Sequence, residues 1–472
     1  MSKKKLGLLS LVALVIGSMI GAGVFSLPSD IARNAGPGAI LIGWLITGIG
    51  MIALALTYHS LSNRKPELDG GIYSYAKAGF GDFIGFNSAW GYWISSWLGN
   101  VAYLVLLFEA VAYFFPVFEN RAIAVAGASV VLWSIHLLVL SGIREAAIVN
   151  LITTVGKLVP IIFFTAMAFI GFNSDLFKAD FWGTGGPFQF GSVLEQVRST
   201  MMVTLWVFIG VEGAVVLSGR AAKKTDVGKA TVIGLLCTLG LYILISLVSL
   251  GVMPREELIQ LKNPTTAYIL ERLVGAGGAA LINMGLIISL SGATLGWTLL
   301  AAEIPYVAAE DEVFPYFFSW ENSNGSPVSS LWITNGLIQI FLLITLVSES
   351  TYQALYTIAT AAILVPYLFS ALYLLKLATS GETYGRREST AFDFIISLVA
   401  SLYSLWLLYA AGLQYLLMCA ILYAPGAIFY WQAKREVGEK PFRPTEITFF
   451  LFLCTAAIIA IYLMAKGIIK PL

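Results

Sequence analysis

Residues 17–23, with the sequence GSMIGAG, decide how this chain folds. The three glycines among these seven residues each destabilise a helix by roughly 1 kcal/mol relative to alanine. The stretch nevertheless lies inside a long apolar segment, residues 8–33. Unwound backbone at membrane depth is tolerated only where it is buried in protein or lines a cavity. Taken alone, the stretch also fits close helix packing, since Gly17 and Gly21 form a small-xxx-small pair.

The composition around this stretch is that of a membrane protein. Of the 472 residues, 58% are hydrophobic and only 12% are charged. A soluble domain of this size needs a far larger polar surface. The apolar residues form blocks of roughly 20, such as residues 41–58 and 235–252, which match the hydrocarbon thickness of a bilayer. The blocks are solidly apolar rather than alternating, so we predict an all-α polytopic membrane protein instead of a barrel.

The apolar blocks predict about thirteen membrane spans, with no composition shift that indicates a separate soluble domain. Their approximate cores are residues 8–33, 38–61, 84–115, 121–141, 147–171, 193–218, 229–252, 276–309, 328–348, 353–376, 391–411, 413–433 and 446–468.

The lysines and arginines of the loops predict the orientation. With the N-terminus in the cytoplasm, most of them, beginning with Lys3, Lys4 and Lys5, fall on the cytoplasmic side, as the positive-inside rule requires. An odd number of spans then places the C-terminus outside. One loop departs from the pattern: residues 310–327 are acidic and contain no lysine or arginine, yet fall on the predicted cytoplasmic side.

Net charge and the cysteine and histidine content exclude several classes of partner. A net charge of +1 favours no nucleic-acid partner, and membrane lipid is the expected surroundings. The three cysteines lie in predicted spans without metal-ligand spacing, and His59 and His136 have no companions at such spacing. We therefore expect neither a metal nor a cofactor. A homodimer remains open.

A second interrupted segment occurs in the sixth predicted span. Residues 206–213, WVFIGVEG, contain two glycines and the carboxylate of Glu212 within an apolar run. An intramembrane glutamate is costly and usually faces a cavity or a partner. Spans one and six are the first helices of two five-span halves, and such paired interruptions indicate an inverted-repeat transporter. We predict a first repeat over residues 1–172, a second over 192–377, and peripheral spans over 391–472.

Two broken helices predict a binding chemistry. A broken helix offers free N–H groups and a positive dipole end to a carboxylate. The partner stub offers free carbonyl groups to an ammonium. The combination suits an α-amino acid, whereas the carbonyl half alone would suit a decarboxylated amine.

Five motifs in order along the chain carry a family resemblance. They are GSMIGAGVF at 17–25, DGGIYSY at 69–75, WVFIGVE at 206–212, LGWTLL at 295–300 and LVPYL at 364–368. Together they resemble the amino acid–polyamine–organocation superfamily, and within it the basic amino acid/polyamine antiporters. The resemblance implies the leucine-transporter fold, with two inverted five-helix repeats and about three peripheral helices, in a bacterial inner membrane.

The resemblance also implies roles for individual residues. It assigns Met19, Ala22 and Gly23 to the substrate carboxylate, Trp206 and Ile209 to the α-ammonium, Ser96, Asn100, Trp206 and Trp297 to the pocket wall, and Tyr92 and Glu212 to the inner gate. The chain departs from the arginine/agmatine exchangers at two positions, because Ala22 and Ala359 stand where those exchangers have serine. Two hydroxyl contacts to that substrate pair are therefore missing.

Lys157 lies in the middle of the fifth predicted span, where it cannot reach the interface and needs a partner. One interpretation is a fixed ammonium bonded to carbonyl groups of the unwound first span. The other is that its charge couples transport by replacing the sodium ion of sodium-coupled relatives, as the resemblance to proton-coupled members implies. Both interpretations require contact with span one.

The function predicted from these features is exchange of cationic amino acids, arginine against ornithine, by alternating access. One alternative is exchange of an amino acid for an amine, such as lysine/cadaverine, histidine/histamine or agmatine/putrescine. Another is proton-coupled amino acid symport. An intramembrane enzyme or a channel lacks support, since the chain has neither a His-Glu-x-x-His sequence nor a repeated filter motif. Glu109 is either a solvated helix end or part of an outer vestibule that attracts cations.

Overall fold

The computed structural model describes residues 6–347 and 352–469, with the backbone alone for residues 143–152. Lys3, Lys4 and Lys5 lie outside the described residues. The described residues form helices and no β-strand. Extended pairing is limited there to two isolated bridges, Leu6 with Ala221 and Glu321 with Pro327. The predicted all-α fold class is confirmed.

The first half of the chain folds into five spans, the first of them in two pieces. The span helices are Leu8–Met19 (span 1a) and Gly23–Asn34 (span 1b), Pro37–Arg64, Asp82–Phe114, Arg121–Ser141 and Ile143–Ile170. Short helices at Ile72–Phe80, Pro116–Glu119 and Ser174–Lys178 lie in the connections.

The second half of the chain also begins with a span in two pieces, and further helices follow it. The span helices are Phe190–Trp206 (span 6a) and Gly213–Val216 (span 6b), Thr225–Leu250, Ala276–Glu310, Val328–Ile344, Tyr352–Ala362 with Leu364–Ser380, Ala391–Tyr423 with Gly426–Glu436, and Pro444–Ala465. Short helices lie at Ser218–Arg220, Arg255–Leu258, Thr265–Val274 and Tyr316–Ser319.

The described residues contain nine helices long and apolar enough to cross a membrane, or ten when spans 1a and 1b count as one. Every predicted span core overlaps a helix. The broken span six and the 17-residue helix Val328–Ile344 are too short to pass that length test. Residues 391–436 count as a single helix although the chain reverses within them.

This reversal occurs at Gly412, whose φ of +77° interrupts the helix. Asp393, before it, forms an ion pair with Arg64, and Lys434, after it, forms one with Asp82. Arg64 ends span two and Asp82 begins span three, so both ion pairs lie on one side of the protein. Residues 391–411 and 413–436 are therefore two antiparallel spans, with the reversal between the predicted cores 391–411 and 413–433.

The side of these ion pairs, which we call the basic face, carries Arg64, Lys77, Arg220, Lys224 and Lys434. The acidic loop 310–327 also lies here: the Asp311 carbonyl accepts a hydrogen bond from Lys77 at 2.6 Å, and Glu321 lies 3.4 Å from Arg220. Cations from other connections therefore contact the loop that departs from the charge pattern.

Candidate functional site

Span one breaks at the predicted stretch. Span 1a ends at Met19, span 1b begins at Gly23, and the two helices are bent by 40°. Residues 20–22 between them form no helix, and all three are buried. A break exposes backbone groups that a continuous helix would pair, so the partners of these groups decide what the break can bind.

Lys157 occupies two carbonyl groups at this break. Its ammonium donates to the Gly17 oxygen at 2.6 Å and to the Ile20 oxygen at 2.5 Å, and the side chain is fully buried. A buried charge without partners costs several kcal/mol. The contact with span one that both interpretations of Lys157 require is present.

Three further side chains donate to carbonyl groups of the same break. Ser289 lies 3.1 Å from the Ile20 oxygen and 3.2 Å from the Gly21 oxygen. The Tyr242 hydroxyl donates to the Met19 oxygen at 2.8 Å, and the Trp297 indole donates to the Ser18 oxygen at 3.1 Å. The carbonyl groups of residues 17–21 are therefore all occupied by their neighbours.

The N–H groups on the other side of the break are open. Among the described residues, none accepts a hydrogen bond from the N–H of Ala22, Gly23 or Val24. These groups form the N-terminus of span 1b, where the helix dipole favours an anion. Met19, also assigned to the carboxylate, presents a carbonyl that already accepts from Tyr242.

Span six breaks over residues 207–212, between span 6a and span 6b. Gly210 adopts a φ of +110°, and a Cβ atom added there would lie 2.7 Å from the Ser18 side chain. Ser18 Oγ in turn lies 3.0 Å from the Gly210 carbonyl oxygen. Glycine at position 210 thus provides both the backbone conformation and the close approach of the two broken spans.

The open groups of this second break are carbonyls. Among the described residues, none donates a hydrogen bond to the carbonyl oxygen of Val207 or Ile209. Within the described part of the chain, the Trp206 oxygen accepts only a 3.3 Å contact from the Ile209 N–H. Trp206 and Ile209 are the two residues assigned to the α-ammonium, and such oxygens suit that group.

Glu212 is the last residue of the second break, at the end that faces the basic face. It is fully buried, and its Oε2 accepts from the Tyr367 hydroxyl at 2.6 Å and from the Gly210 N–H at 3.2 Å. Its Oε1 has no hydrogen-bond partner among the described residues. The phenol rings of Tyr58 and Tyr92 lie close to the carboxyl group. Tyr92 and Glu212 are therefore neighbours, as an inner gate would require.

Aromatic rings surround the two breaks. Trp206 stacks on Tyr356 with ring centroids 5.3 Å apart and donates its indole hydrogen bond to Tyr352 at 2.9 Å. Tyr103 packs against the same indole at 5.6 Å. Trp297 lies 6.1 Å from Tyr92. Both tryptophans assigned to the pocket wall thus lie beside the broken helices.

The polar residues assigned to span three lie on one helix face, four residues apart. Ser96 bonds back to the Tyr92 carbonyl at 2.8 Å. Asn100 donates to Thr298 at 3.2 Å, while its buried Oδ1 has no donor among the described residues. This unpaired oxygen is suited to an N–H group of a cationic side chain.

A cavity of about 1020 Å³ lies beyond Trp206, away from the basic face. Tyr352 lines it, and so does Glu109, which is exposed towards it. With Glu109 included, three acidic and three basic side chains lie along the cavity: Glu109, Glu119, Glu271, Arg33, Arg121 and Lys262. The Trp206–Tyr352 hydrogen bond lies where the cavity meets the breaks.

The basic face is closed by ion pairs. Arg220 contacts Glu303 through two hydrogen bonds of 2.9 and 3.1 Å, and Lys224 pairs with Asp69. The backbone of Leu6 pairs with the segment at Arg220. The structure therefore has its large cavity on one side of the breaks and a closed face on the other.

Four of these residues were not predicted from the sequence: Tyr103, Tyr242, Ser289 and Tyr352. Tyrosines and serines occur often in apolar helices, so their types alone carried no signal. Helical spacing could have found Tyr103, which lies seven residues after Ser96 and therefore on the same face. Among the described residues, no group of three His, Cys, Asp or Glu side chains is arranged to hold a metal.

Comparison with known proteins identifies the family. The amino acid permease model matches residues 6–426. The chain is 50% identical to the arginine/ornithine antiporter of Pseudomonas aeruginosa, over 99% of this chain and 98% of that protein. It is 42% identical to the arginine/agmatine antiporter of Chlamydia pneumoniae, over 99% of each chain.

A solved structure supports the fold independently. The substrate-bound, outward-open Na⁺-coupled sialic acid symporter superposes with a TM-score of 0.54 at 13% identity, over 88% of this chain and 91% of that one. At this low sequence identity, the superposition supports the fold but gives no information about the substrate. With the family match over most of its length, the chain belongs to the amino acid permease family.

Proposed function

We propose that this protein is an antiporter of cationic amino acids that exchanges arginine for ornithine by alternating access. One observation carries the proposal: the two breaks meet at Ser18 and Gly210 and offer opposite backbone groups. Open N–H groups at Ala22 and Gly23 match a carboxylate, and open carbonyl groups at Val207 and Ile209 match an ammonium. Relatives named as arginine/ornithine antiporters support the substrate pair.

The cationic end of the substrate would lie among neutral groups. Ser96, Asn100, Trp206 and Trp297 carry no charge, so aromatic faces and oxygen acceptors would hold a guanidinium or an ammonium. Such contacts are worth roughly 0.5–2 kcal/mol each. A pocket of this kind accepts several basic side chains, which is what exchange of arginine for ornithine needs.

Lys157 is proposed to couple the conformation of span one to transport. Its ammonium bridges two carbonyl groups at the bend, so the break keeps its shape only while this charge is present. Tyr92 and Glu212 are proposed to gate the opposite side of the pocket, towards the basic face. Lys157 would act on the first broken span, whereas Tyr92 and Glu212 would act at the second.

The proposed topology has two inverted repeats, over residues 1–172 and 192–377, with the basic face in the cytoplasm. Its support is the excess of lysine and arginine on that face. We expect cysteines introduced at Lys3 and Pro471, both outside the described residues, to react with impermeant reagents from opposite sides of the inner membrane. Reaction from the same side would exclude the thirteen-span topology.

Exchange of an amino acid for its decarboxylated amine is the second candidate. The relative named as an arginine/agmatine antiporter favours it. The two candidates differ electrically. Arginine against ornithine moves no net charge, whereas an amino acid against its amine product does.

The experiment is counterflow in proteoliposomes loaded with arginine and challenged with a panel of amino acids and amines. We expect arginine and ornithine to enter fastest, at rates independent of an imposed membrane potential. A main activity that responds strongly to potential would favour the second candidate. Failure of all cationic amino acids to enter would reject both.

A further inference from the structure

Tyr103 lies in span three on the face that carries two predicted pocket residues. It follows Asn100 by three positions and Ser96 by seven, so the three side chains share one side of the helix. Its side chain is only 4% exposed. Tyr103 therefore points into the region enclosed by the broken spans and not towards lipid.

The Tyr103 hydroxyl reaches the break in span one. A Cβ atom added to Gly21 would lie 2.6 Å from this oxygen, so the hydroxyl touches the backbone immediately before Ala22. The phenol ring packs against Trp206 with centroids 5.6 Å apart. Tyr103 thus lies between the break in span one and Trp206 of span 6a.

The hydroxyl adds a donor to the anion-binding half of the site. The Trp297 indole N–H already donates to the Ser18 carbonyl, and among the described residues none accepts a hydrogen bond from the Tyr103 hydroxyl, so its proton is free for a substrate acceptor. The open N–H groups of Ala22 and Gly23 follow directly in the chain. Lys157 does not serve this half, because its ammonium is directed at the carbonyl groups of Gly17 and Ile20.

We propose that Tyr103 is a specificity-determining residue whose hydroxyl donates a hydrogen bond to the α-carboxylate of the substrate. This inference rests on the proposed function, since it assumes that the carboxylate binds at Ala22 and Gly23. A decarboxylated amine has no group to accept this bond. Tyr103 consequently favours α-amino acids over their amine products, a choice that the backbone carbonyl groups of span six cannot make.

Two other roles for Tyr103 predict different behaviour. As a gate, the ring would affect the entry of every substrate by the same factor. As a packing residue, it would affect stability and all substrates together. Removing the hydroxyl while keeping the ring separates these roles from recognition of the carboxylate.

The test uses the full-length protein with Tyr103→Phe and, as a matched control, Tyr356→Phe. Tyr356 stacks on the same indole, whereas the three atoms nearest to a Cβ atom added at Gly21 all belong to Tyr103. The KM values of external arginine, ornithine, agmatine and putrescine are measured in arginine-loaded proteoliposomes. We expect Tyr103→Phe to raise the KM of both amino acids about 10-fold, as for a lost hydrogen bond to a charged group. The KM values of both amines should stay unchanged.

Equal changes for amino acids and amines, or no change for any of them, would overturn the inference. The same shift in Tyr356→Phe would overturn it as well, because the effect would then belong to the aromatic cluster. Thermal stabilisation of the detergent-solubilised proteins by arginine gives a second readout, which should fall in Tyr103→Phe alone. If the wild type exchanges no amino acid, the proposed function fails, and the inference fails with it.

Discussion

The breaks in spans one and six differ in which backbone groups their neighbours occupy. At span one, side chains from spans five, seven and eight donate to the carbonyl groups, and the N–H groups of Ala22 and Gly23 remain open. At span six, the carboxylate of Glu212 accepts from the Gly210 N–H, and the carbonyl groups of Val207 and Ile209 remain open.

The comparison shows how one structural device yields two binding chemistries. Unwinding a helix frees donors and acceptors together, so neither break is selective by itself. Side chains packed around each break then pair with one kind of group and leave the other. At span one, side-chain donors occupy the carbonyl groups, so the open N–H groups can bind an anion. At span six, a side-chain acceptor occupies an N–H group, so the open carbonyl groups can bind a cation.

The largest expected effect follows from removing the main donor at span one. Lys157→Ala leaves the Gly17 and Ile20 carbonyl groups without their charged partner, and two such bonds are worth about 1.5–3 kcal/mol each. We expect exchange in proteoliposomes to fall roughly 100-fold or more, with membrane insertion retained. Lys157→Arg should also be impaired, because its planar fork cannot replace a compact ammonium. Normal exchange in Lys157→Ala would remove the lysine from the mechanism.

The next effect concerns the contact between the breaks. Gly210→Ala forces a side chain into a φ of +110° and towards Ser18. Such strain costs about 1–3 kcal/mol, so exchange should fall roughly 10- to 100-fold.

Gly240→Ala is the control for this substitution. Gly240 lies in the helix Thr225–Leu250, and a Cβ atom there meets nothing within 4 Å. Exchange by Gly240→Ala should match the wild type. Equal exchange by Gly210→Ala and Gly240→Ala would show that the two breaks need not meet.

A smaller effect is expected from a secondary donor. Ser289→Ala removes the hydrogen-bond donor to Gly21, while Ile20 keeps its bond to Lys157. One neutral hydrogen bond is worth about 0.5–1.5 kcal/mol, so exchange should fall roughly 2- to 10-fold. Ser291→Ala, which removes only a bond to Ile287 in the same helix, should leave the rate unchanged. A loss in Ser289→Ala as large as in Lys157→Ala would contradict the ranking of donors at span one.

Those features of the site that conflict with the usual composition of membrane helices could be predicted from the sequence. Glycine runs at residues 17–23 and 206–213 conflict with helix propensity, and Lys157 and Glu212 conflict with an apolar environment. Each conflict required a structural reason, and the breaks and their buried charges supply it. The positions of these residues were therefore predictable to within a few residues.

Site residues whose types are common in membrane helices could not be predicted from the sequence. Tyr242 and Ser289 are ordinary residues in apolar helices, and only the bend of span one brings them to its carbonyl groups. The short helix Ile72–Phe80 lacked the length that predicts a span. The hydrogen bond from Tyr242 to the Met19 carbonyl is likewise a tertiary contact that no local pattern contains.

The measurement that tests the central claim most directly compares arginine uptake by loaded and empty proteoliposomes. With its substrate absent, the open N–H groups at span one and the open carbonyl groups at span six lack partners, so reorientation of the empty protein should be slower than that of the loaded one. We predict rapid uptake of external arginine or ornithine into arginine-loaded vesicles and far slower uptake into empty ones. Equal uptake by both would indicate a uniporter or a proton symporter, and would contradict antiport.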